Sequence, residues 1–161
     1  MKRWSRASPA FLTNLKQGEG HMETTLTILK PDSVAAGNAG NIIAHLQKEG
    51  FEIRGIKMLR LTQAQAQAFY EVHKERPFYG SLVEFMTGGP VIPIALAREN
   101  AVAYLREVMG ATDVAKAAPG TIRNLYGTSI EANAIHGSDS AENAQIETAF
   151  FFSRAELIAA Q

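Results

Sequence analysis

Polar and apolar residues alternate from Thr24 to Leu29, and several of them are β-branched. A period of two residues is typical of a β-strand that buries one face, so this segment is predicted to be the first strand. It delivers Lys30, Pro31 and Asp32 at its end. Pro31 restricts the residue before it to an extended backbone and so fixes the direction of Lys30, although an ordinary surface lysine is the plainer interpretation.

Helical and strand periods follow each other through the middle of the chain. Helices are predicted where apolar residues recur every three or four positions, and strands where apolar residues alternate with polar ones or run together. The first of these elements are a helix that carries His45 as a structural residue and ends near Gly50, and a strand over residues 51–61 with a bulge or bend around Gly55. A helix capped by Thr62 follows, with Ala66, Phe69, Tyr70 and His73 at helical spacing and an interruption at Pro77. A further helical piece is predicted over residues 78–86.

The segment from Val91 to Ala97 is apolar at every position. A continuous apolar run of this length is expected of a strand that is buried on both faces. Pro93 lies within the run and has no backbone N–H to donate to a neighbouring strand. A bulge or an edge position is therefore predicted there.

The last third of the chain combines short elements with a long loop. The predicted elements are a helix from Ala101 to Met109 with Arg106 outside its apolar face, an irregular segment over residues 110–127, a strand over residues 130–136, a short helix over residues 140–147, and two terminal apolar segments. An irregular segment as long as 110–127 is usually functional or disordered in a compact domain.

The order of these elements indicates the fold class. A strand-helix-strand unit is followed by a second one, with extra helical pieces between them, which is a split βαβ arrangement. We therefore predict a ferredoxin-like α+β fold in which a four-stranded antiparallel sheet carries helices on one face. The single domain would span residues 23–161, which is long enough for a full core.

Residues 1–22 show neither a helical nor a strand period and are left out of this fold. Three interpretations are open: an expression leader, tag or misassigned start; a transit segment that contains Arg and Ser; or an ordered native extension. A secretory signal is not favoured, because the segment has no apolar central stretch.

Composition excludes several classes of partner. Sixteen Lys and Arg residues balance sixteen Asp and Glu residues, so no global charge attracts nucleic acid or an anionic membrane. The chain has no Cys, which excludes disulfides and thiolate zinc sites, and no apolar run near the ~20 residues of a membrane span. A cytoplasmic protein without a nucleic-acid or membrane partner is expected, with a transit segment as the open alternative. RNA-recognition domains share the predicted fold, but the strands here lack their exposed aromatic residues.

One histidine stands in a segment that suits a reactive imidazole. His136 follows a short apolar run and precedes small hydroxyl and carboxylate side chains in the sequence Asn133-Ala134-Ile135-His136-Gly137-Ser138-Asp139-Ser140. A neutral imidazole, with a reference pKa of about 6.5, is a nucleophile that can accept a phosphoryl group. In isolation, such a segment is more often an ordinary turn at a strand end.

Basic, hydroxyl-bearing and amide side chains lie at the predicted ends of other elements. They are Lys30, Tyr70, Arg106, Thr112, Arg123 and Asn133. If the strand ends converge, these residues form a cationic pocket in a neutral protein, and arginine can hold phosphate oxygens through two parallel hydrogen bonds. A di- or triphosphate next to His136 is therefore the predicted ligand.

Five motifs of the chain resemble those of nucleoside diphosphate kinases. They are Thr27-Ile28-Leu29-Lys30-Pro31-Asp32, Arg76-Pro77-Phe78, Gly89-Pro90-Val91, Pro119-Gly120-Thr121-Ile122-Arg123, and the segment from Asn133 to Ser140. The motifs occur in family order and at family spacing, and the resemblance spans essentially all of the chain from Glu23 to Gln161. A single motif would be weak, but five together make an accidental match very improbable.

The resemblance implies a role for each position that matches a functional position of the family. His136 would be the phosphorylated residue. The phosphate ligands would be Arg106, Thr112 and Arg123, with Tyr70 as a nearby phenol, and Lys30 and Asn133 would bond the sugar hydroxyls and the transferring phosphate. The clamp for the base would consist of Phe78, Leu82 and Ile130. Glu147 would be the carboxylate that orients the imidazole, with Ser138 as its hydrogen-bonding neighbour.

The resemblance also implies a reaction and its partners. The γ-phosphoryl group of a nucleoside triphosphate would pass to His136 and then to a nucleoside diphosphate, with Mg2+ held by the nucleotide phosphates and by no protein ligand directly. Base contacts made by stacking alone tolerate any base, so broad specificity is predicted. A catalytically inactive homologue is the alternative within the family.

Two departures from the family pattern concern assembly. Val114 stands where many members have a proline in the irregular loop. The chain also stops at Gln161, without the longer C-terminal tail that braces the hexamer in many eukaryotic members. A homo-oligomer is expected, and both a tetramer and a hexamer are open.

Overall fold

The structure, a computed structural model, describes residues 20–160. The strands are β1 (Met22–Leu29), β2 (Glu52–Ile56), β3 (Ile92–Glu99) and β4 (Ile135–Gly137). The helices are α1 (Pro31–Ala35), α2 (Ala39–Lys48), α3 (Gln63–Phe69), α4 (Tyr79–Thr87), α5 (Ala101–Met109), α6 (Ile122–Tyr126), α7 (Ala141–Phe151) and α8 (Arg154–Ala159), with 3-10 turns at Glu71–His73 and Val114–Lys116. No helix of residues 20–160 is long and apolar enough to cross a membrane. Most of the predicted leader, residues 1–22, lies outside the described residues.

The strands form one antiparallel sheet in the order β2-β3-β1-β4. α2 lies on the connection from β1 to β2, and α5 lies on the connection from β3 to β4. This arrangement is the split βαβ of a ferredoxin-like α+β fold, so the predicted fold class is confirmed. β1 and β3 are the central strands, and β4 forms the edge at which the predicted histidine lies.

Helices cover both faces of the sheet, so the prediction of helices on one face was wrong. Buried residues of α2 and α5, such as Leu46 and Leu105, pack in a core that includes Ile94 of β3. Buried residues of α3, α4 and α7, such as Met86, pack in a second core that includes Ala95. The continuous apolar run of β3 is accordingly buried on both faces of the sheet. Within residues 20–160, the sheet therefore offers no open platform of the kind on which RNA-recognition domains stack bases.

Pro93 lies inside the sheet, on the central strand β3. The prediction of a bulge or an edge position at Pro93 was therefore wrong. Pro93 pairs with Ile28 of β1, and its carbonyl oxygen accepts a hydrogen bond from the N–H of Lys57 (3.1 Å). Pro93 has no backbone N–H to donate to a neighbouring strand. Because β2 ends at Ile56, the position where this N–H is absent lies at the end of β2. The irregular register is in β2, between Ile53 and Gly55, where a bulge was predicted.

Other element boundaries also differ from the prediction. β2 ends before the predicted strand does, and only an isolated bridge at Leu59 continues it. β4 keeps three residues of the predicted strand over 130–136. The loop over 110–127 contains the one-turn helix α6, which is too short for a hydrophobic period to reveal. α7 begins after its cap at Ser140 and continues to Phe151, beyond the predicted end.

Candidate active site

The end of β1 and the start of β4 bring the predicted lysine and histidine together. β4 pairs with β1 so that His136 lies opposite Ile28, two residues before Lys30. α1 begins with Pro31 and holds Lys30 in an extended conformation (φ −81°, ψ 162°), as the proline predicts. The backbone N–H of Lys30 donates to the carbonyl oxygen of Ala134 (3.0 Å). Both side chains therefore start from the same corner of the sheet.

Ala134 has a left-handed backbone conformation with φ 73°. A γ-turn around it joins the N–H of Ile135 to the carbonyl oxygen of Asn133 (2.9 Å). The Asp32 carboxylate accepts a hydrogen bond from the N–H of Ala134 (3.0 Å), and the Ser33 hydroxyl donates to its carbonyl oxygen (2.8 Å). Such a conformation is costly for a residue other than glycine and persists where surrounding bonds enforce it. The turn fixes the direction of the chain immediately before β4.

The imidazole of His136 is hydrogen-bonded through Nε2 to a carboxylate oxygen of Glu147 on α7. An ionised carboxylate can only accept a hydrogen bond, so Nε2 carries the hydrogen and Nδ1 of the neutral ring keeps its lone pair. The Thr27 hydroxyl donates to the backbone carbonyl oxygen of His136 (2.7 Å) and anchors the strand beneath the ring. The His136 side chain is 24% exposed. Nδ1 is the ring nitrogen available to a reaction partner.

Lys30 is a buried cation whose hydrogen-bond partners are carbonyl and amide oxygens. It is 6% exposed, and its ammonium donates to the backbone carbonyl of Glu131 (2.6 Å) and to Oδ1 of Asn133 (2.9 Å). Burial lowers the pKa of Lys30 to about 8. The carboxylates of Asp32 and Glu131 oppose this shift, whereas the charge of Arg123 adds to it.

The lowered pKa of Lys30 has a consequence for stability and for binding. The unfolded chain keeps this proton up to the ordinary pKa of 10.5, whereas the folded chain releases it near 8. The buried charge therefore opposes folding below pH 8, and this cost declines as the pH rises from 8 to 10.5. A bound anion would offset the cost, because an opposite charge favours the protonated lysine.

Affinity for the predicted di- or triphosphate ligand is therefore expected to fall as the pH rises above 8, by up to about tenfold per pH unit, because anion binding must then also bind a proton at Lys30. The phosphates are already ionised there, since the second pKa of a phosphate monoester is about 6. Equilibrium titrations from about pH 7 to about pH 9.5 measure the slope. A Lys30→Arg variant should lose the slope because its guanidinium stays charged. Equal slopes in both proteins would assign the titration to another group.

Arg123 is held by backbone carbonyls from two sides of the site. Its guanidinium donates to the carbonyl oxygens of Gly110 (3.1 Å) and of Ile135 (2.8 Å), the residue before His136. Burial lowers the pKa of Arg123 to about 10, and the charge of Arg106 adds to the shift. Its buried Nε has no hydrogen-bond partner within the described part of the chain. Arg123 is thus a structural link between α6 and β4 as well as a candidate phosphate ligand.

Arg106 and Thr112 line an open cavity of about 440 Å³ between α5 and the loop that follows it. The cavity is also lined by Glu107, Gly110, Ala111, Lys116, Ala118 and Thr121. His136 and Lys30 are not among its lining residues, so it covers only the predicted phosphate-binding end of the site. The side-chain amide of Asn133 donates to the carbonyl oxygen of Thr112 (3.2 Å) and so joins this loop to the lysine.

Asp139 is an exposed carboxylate three residues after His136. A hydrogen bond from Asn143 lowers the pKa of Asp139, and the charges of Arg106 and His136 lower it further. The guanidinium of Arg123 contacts the backbone of the residue before His136, whereas the position of Arg106 beside the imidazole stays a prediction.

The three residues predicted to clamp the base lie on two segments, α4 with its N-cap and the loop before β4. Phe78, the N-cap of α4, is 47% exposed, and Ile130, in the loop before β4, is 65% exposed. Leu82 on α4 is partly buried against the core. The ring of His73 packs against that of Phe78, with 5.6 Å between the ring centroids. Phe78 and Ile130 thus present two apolar side chains to solvent.

Tyr70 and Ser138 differ in how well they match their predicted contacts. Tyr70 is buried with its ring edge-on to His136, and the centroids are 6.1 Å apart. Burial raises the pKa of Tyr70, and the charge of Glu147 raises it further, so the phenol stays protonated. The hydroxyl of buried Ser138 points at the carbonyl oxygen of Leu26 (3.5 Å), because the pairing of β1 with β4 turns it toward β1. The predicted hydrogen bond from Ser138 to Glu147 was therefore wrong.

Phe69 is a residue of the site that the sequence did not identify. Helical spacing predicts only a packing role for it, yet its ring lies 5.5 Å from the imidazole of His136 at an interplanar angle of 75°. Its position next to Tyr70 was the available signal. Whether a ring on this helix meets the imidazole depends on how α3 packs, and the spacing alone does not contain that information.

Comparisons with known proteins show which family the chain resembles in sequence and fold. The family model for nucleoside diphosphate kinase matches residues 23–157. A nucleoside diphosphate kinase of Persephonella marina is 51% identical over 137 residues, and that of Chlorobaculum tepidum is 57% identical over 137 residues; each match covers 85% of this chain and 98% of the relative. The structure of the Aquifex aeolicus nucleoside diphosphate kinase is similar with a TM-score of 0.82 and 47% identity, over 84% of this chain and 99% of that chain. A halophilic nucleoside diphosphate kinase of Halobacterium salinarum in complex with CDP has a TM-score of 0.81 and 39% identity, over 84% and 91%.

Proposed function

Because the chain belongs to the nucleoside diphosphate kinase family and is therefore an enzyme of nucleotide phosphotransfer, we propose that it transfers the γ-phosphoryl group of a nucleoside triphosphate to a nucleoside diphosphate through a phosphohistidine at His136. The observation that carries this proposal is the bond between Nε2 of His136 and Glu147. It leaves Nδ1 with a lone pair at a half-buried position. A nucleophile held in this way needs no separate base.

The proposed reaction has two half-reactions. In the first, Nδ1 attacks the γ-phosphorus while the bond to the β–γ bridging oxygen breaks, and the nucleoside diphosphate leaves with that electron pair. In the second, a terminal oxygen of the acceptor diphosphate attacks the phosphorus, and the P–N bond returns its electron pair to Nδ1. The hydrogen on Nε2 stays in place throughout, and Glu147 stabilises the positive charge of the phosphorylated ring.

Three cationic side chains are proposed to neutralise the transferring phosphate. Phosphoryl transfer has a loose transition state with charge on the equatorial oxygens, so catalysis depends on positioned positive charge. Lys30 and Arg123 are buried and already fixed by hydrogen bonds to backbone carbonyls. Arg106 completes the set from α5, and Thr112 and Asn133 are proposed to add polar contacts to the phosphates and the sugar.

Magnesium is proposed to enter the site together with the nucleotide. Among residues 20–160, no group of three or more His, Cys, Asp or Glu side chains could hold a metal ion. Mg2+ commonly binds through substrate phosphates and water with little help from the protein, so a phosphate-held ion fits these residues. When bound, the ion would neutralise phosphate charge, and no side chain of the chain is required as its ligand.

Broad base specificity is proposed because Phe78 and Ile130 offer apolar contact to a base, which does not discriminate between base edges. We expect kcat/KM for ADP, GDP, CDP and UDP as acceptors to agree within about tenfold. The CDP complex of the Halobacterium salinarum relative supports the inclusion of pyrimidines. Steady-state rates with each diphosphate at fixed ATP measure the spread. A preference above about 10³-fold for one base would require a hydrogen-bonding reader and would contradict the stacking clamp.

A homo-oligomer, a tetramer or hexamer, is also proposed. β2 is an edge strand, and both its last residue, Ile56, and the nearby Met58 are exposed, which supports an interface there. Light scattering coupled to size exclusion gives the number of copies. The cytoplasmic location and the assignment of residues 1–22 as a leader stay predictions.

A further inference from the structure

Phe69 is the last residue of α3, and its ring borders the imidazole of His136. The next residue, Tyr70, makes a second edge-on contact with the same imidazole at an interplanar angle of 90°. Glu147 bonds the imidazole from α7. The ring of His136 therefore lies between aromatic side chains at the C-terminal end of α3 and a carboxylate on α7.

Phe69 also contacts the helix that carries the carboxylate. Its ring centroid lies 5.3 Å from that of Phe150 and 5.3 Å from that of Phe151, both on α7. Phe151 is four residues after Glu147, so the two side chains share one face of the helix. A single phenyl ring thus touches both the imidazole and the helix that presents its hydrogen-bond acceptor.

We infer that Phe69 is a positioning residue, which holds the imidazole of His136 in the orientation that directs Nε2 to Glu147 and Nδ1 to the phosphate. This inference rests on the proposed function. The hydrogen bond to Glu147 fixes one ring atom, and a second contact is needed to fix the ring plane. In-line attack tolerates deviations of only about 0.5 Å and about 10–20°.

A Phe69→Leu variant keeps an apolar side chain but removes the ring. The rate of His136 phosphorylation by ATP in a single turnover is expected to fall about tenfold or more, while the dissociation constant for ADP stays within about twofold. Phe69→Tyr, which restores an aromatic ring, should recover the rate to within about threefold. If the leucine variant does not fold, Phe69→Met takes its place, because the flexible thioether side chain fills irregular gaps in a core.

Phe150→Leu is the matched control. Phe150 belongs to the same aromatic cluster and contacts Phe69 and Phe151. Its replacement removes an equal ring, and the phosphorylation rate should stay within about threefold of native. Equal losses in the two leucine variants would mean that only the stability of the cluster matters, and would overturn the inference.

NMR of protein with ¹⁵N-labelled histidine, without nucleotide, reports the tautomer of His136. A substitution that affects only the stability of the aromatic cluster should leave this tautomer unchanged. Native protein and Phe150→Leu should show the tautomer with hydrogen on Nε2, whereas Phe69→Leu should show a mixture of both tautomers. If native protein takes up phosphate but Phe69→Leu keeps the native rate and tautomer, the inference fails and the proposed function stands. If native protein takes no phosphate from ATP, the proposed function itself fails.

Discussion

Replacing His136 with alanine is expected to lower kcat for phosphoryl transfer by about 10⁴-fold or more, because the variant has no nitrogen to accept the γ-phosphoryl group. The fold should survive, since His136 is half-buried at a sheet edge and its backbone bond to Thr27 remains. A coupled assay of GDP formation or consumption gives the rate, and thermal unfolding reports the fold.

His45→Ala is the control for this substitution. His45 lies on α2, and its ring is 3.9 Å from a carboxylate oxygen of Glu49 on the same helix. The same change of residue type there should leave kcat within about twofold. A His136→Ala enzyme with kcat within about tenfold of native would contradict a covalent role for this ring.

Replacing Glu147 with glutamine should lower kcat by about 10² to 10³-fold while KM for nucleotides changes little. Glutamine has nearly the shape of glutamate but is neutral, and its amide N–H can donate to Nε2. Such a bond would move the ring hydrogen to Nδ1 and block the attacking lone pair. Even with its oxygen toward Nε2, the amide would stabilise the charged ring less than the carboxylate does.

Glu142→Gln serves as the matched control for Glu147→Gln. Glu142 is an exposed residue in the first turn of the same helix, so the charge change and the helix are the same. Single-turnover phosphorylation separates the chemical step from nucleotide release. If both variants lost activity equally, or if Glu147→Gln raised KM without lowering kcat, the carboxylate would act on binding or on helix stability rather than on the imidazole.

The hydrophobic period predicted those elements that are long and regular. β1, α2 and α5 keep their predicted positions because alternation or helical spacing extends over their whole length. The bulge near Gly55 followed from a local break in alternation. These features depend on neighbouring residues alone, which is why the sequence contains them.

Features set by distant contacts were not predicted. The predicted fourth strand shrinks to β4 because Ala134 is bent into a γ-turn by bonds from Asp32 and Ser33, about a hundred residues earlier in the chain. Pro93 is tolerated in a central strand because β2 ends opposite it. The helices on both faces could have been expected, since the apolar run of β3 already indicated two buried faces.

The residues of the candidate site show the same difference between features that neighbouring residues determine and features that distant contacts determine. Residue type and its motif identified His136, and the resemblance to the family identified Glu147; the structure places the two in contact. The burial of Lys30, the backbone contacts of Arg123 and the position of Phe69 arise from packing between separate elements. Motifs identify the residues that react, whereas the groups that support those residues become visible only in three dimensions.

The most direct test of the account is a chase experiment on the native protein. The protein is incubated with γ-labelled ATP without acceptor, freed of nucleotide, and then given GDP. We predict label on the protein that is labile to acid, stable to base and absent from His136→Ala, and that moves to GTP when GDP is added. Label that never forms, or that stays on the protein after GDP is added, would contradict transfer through His136.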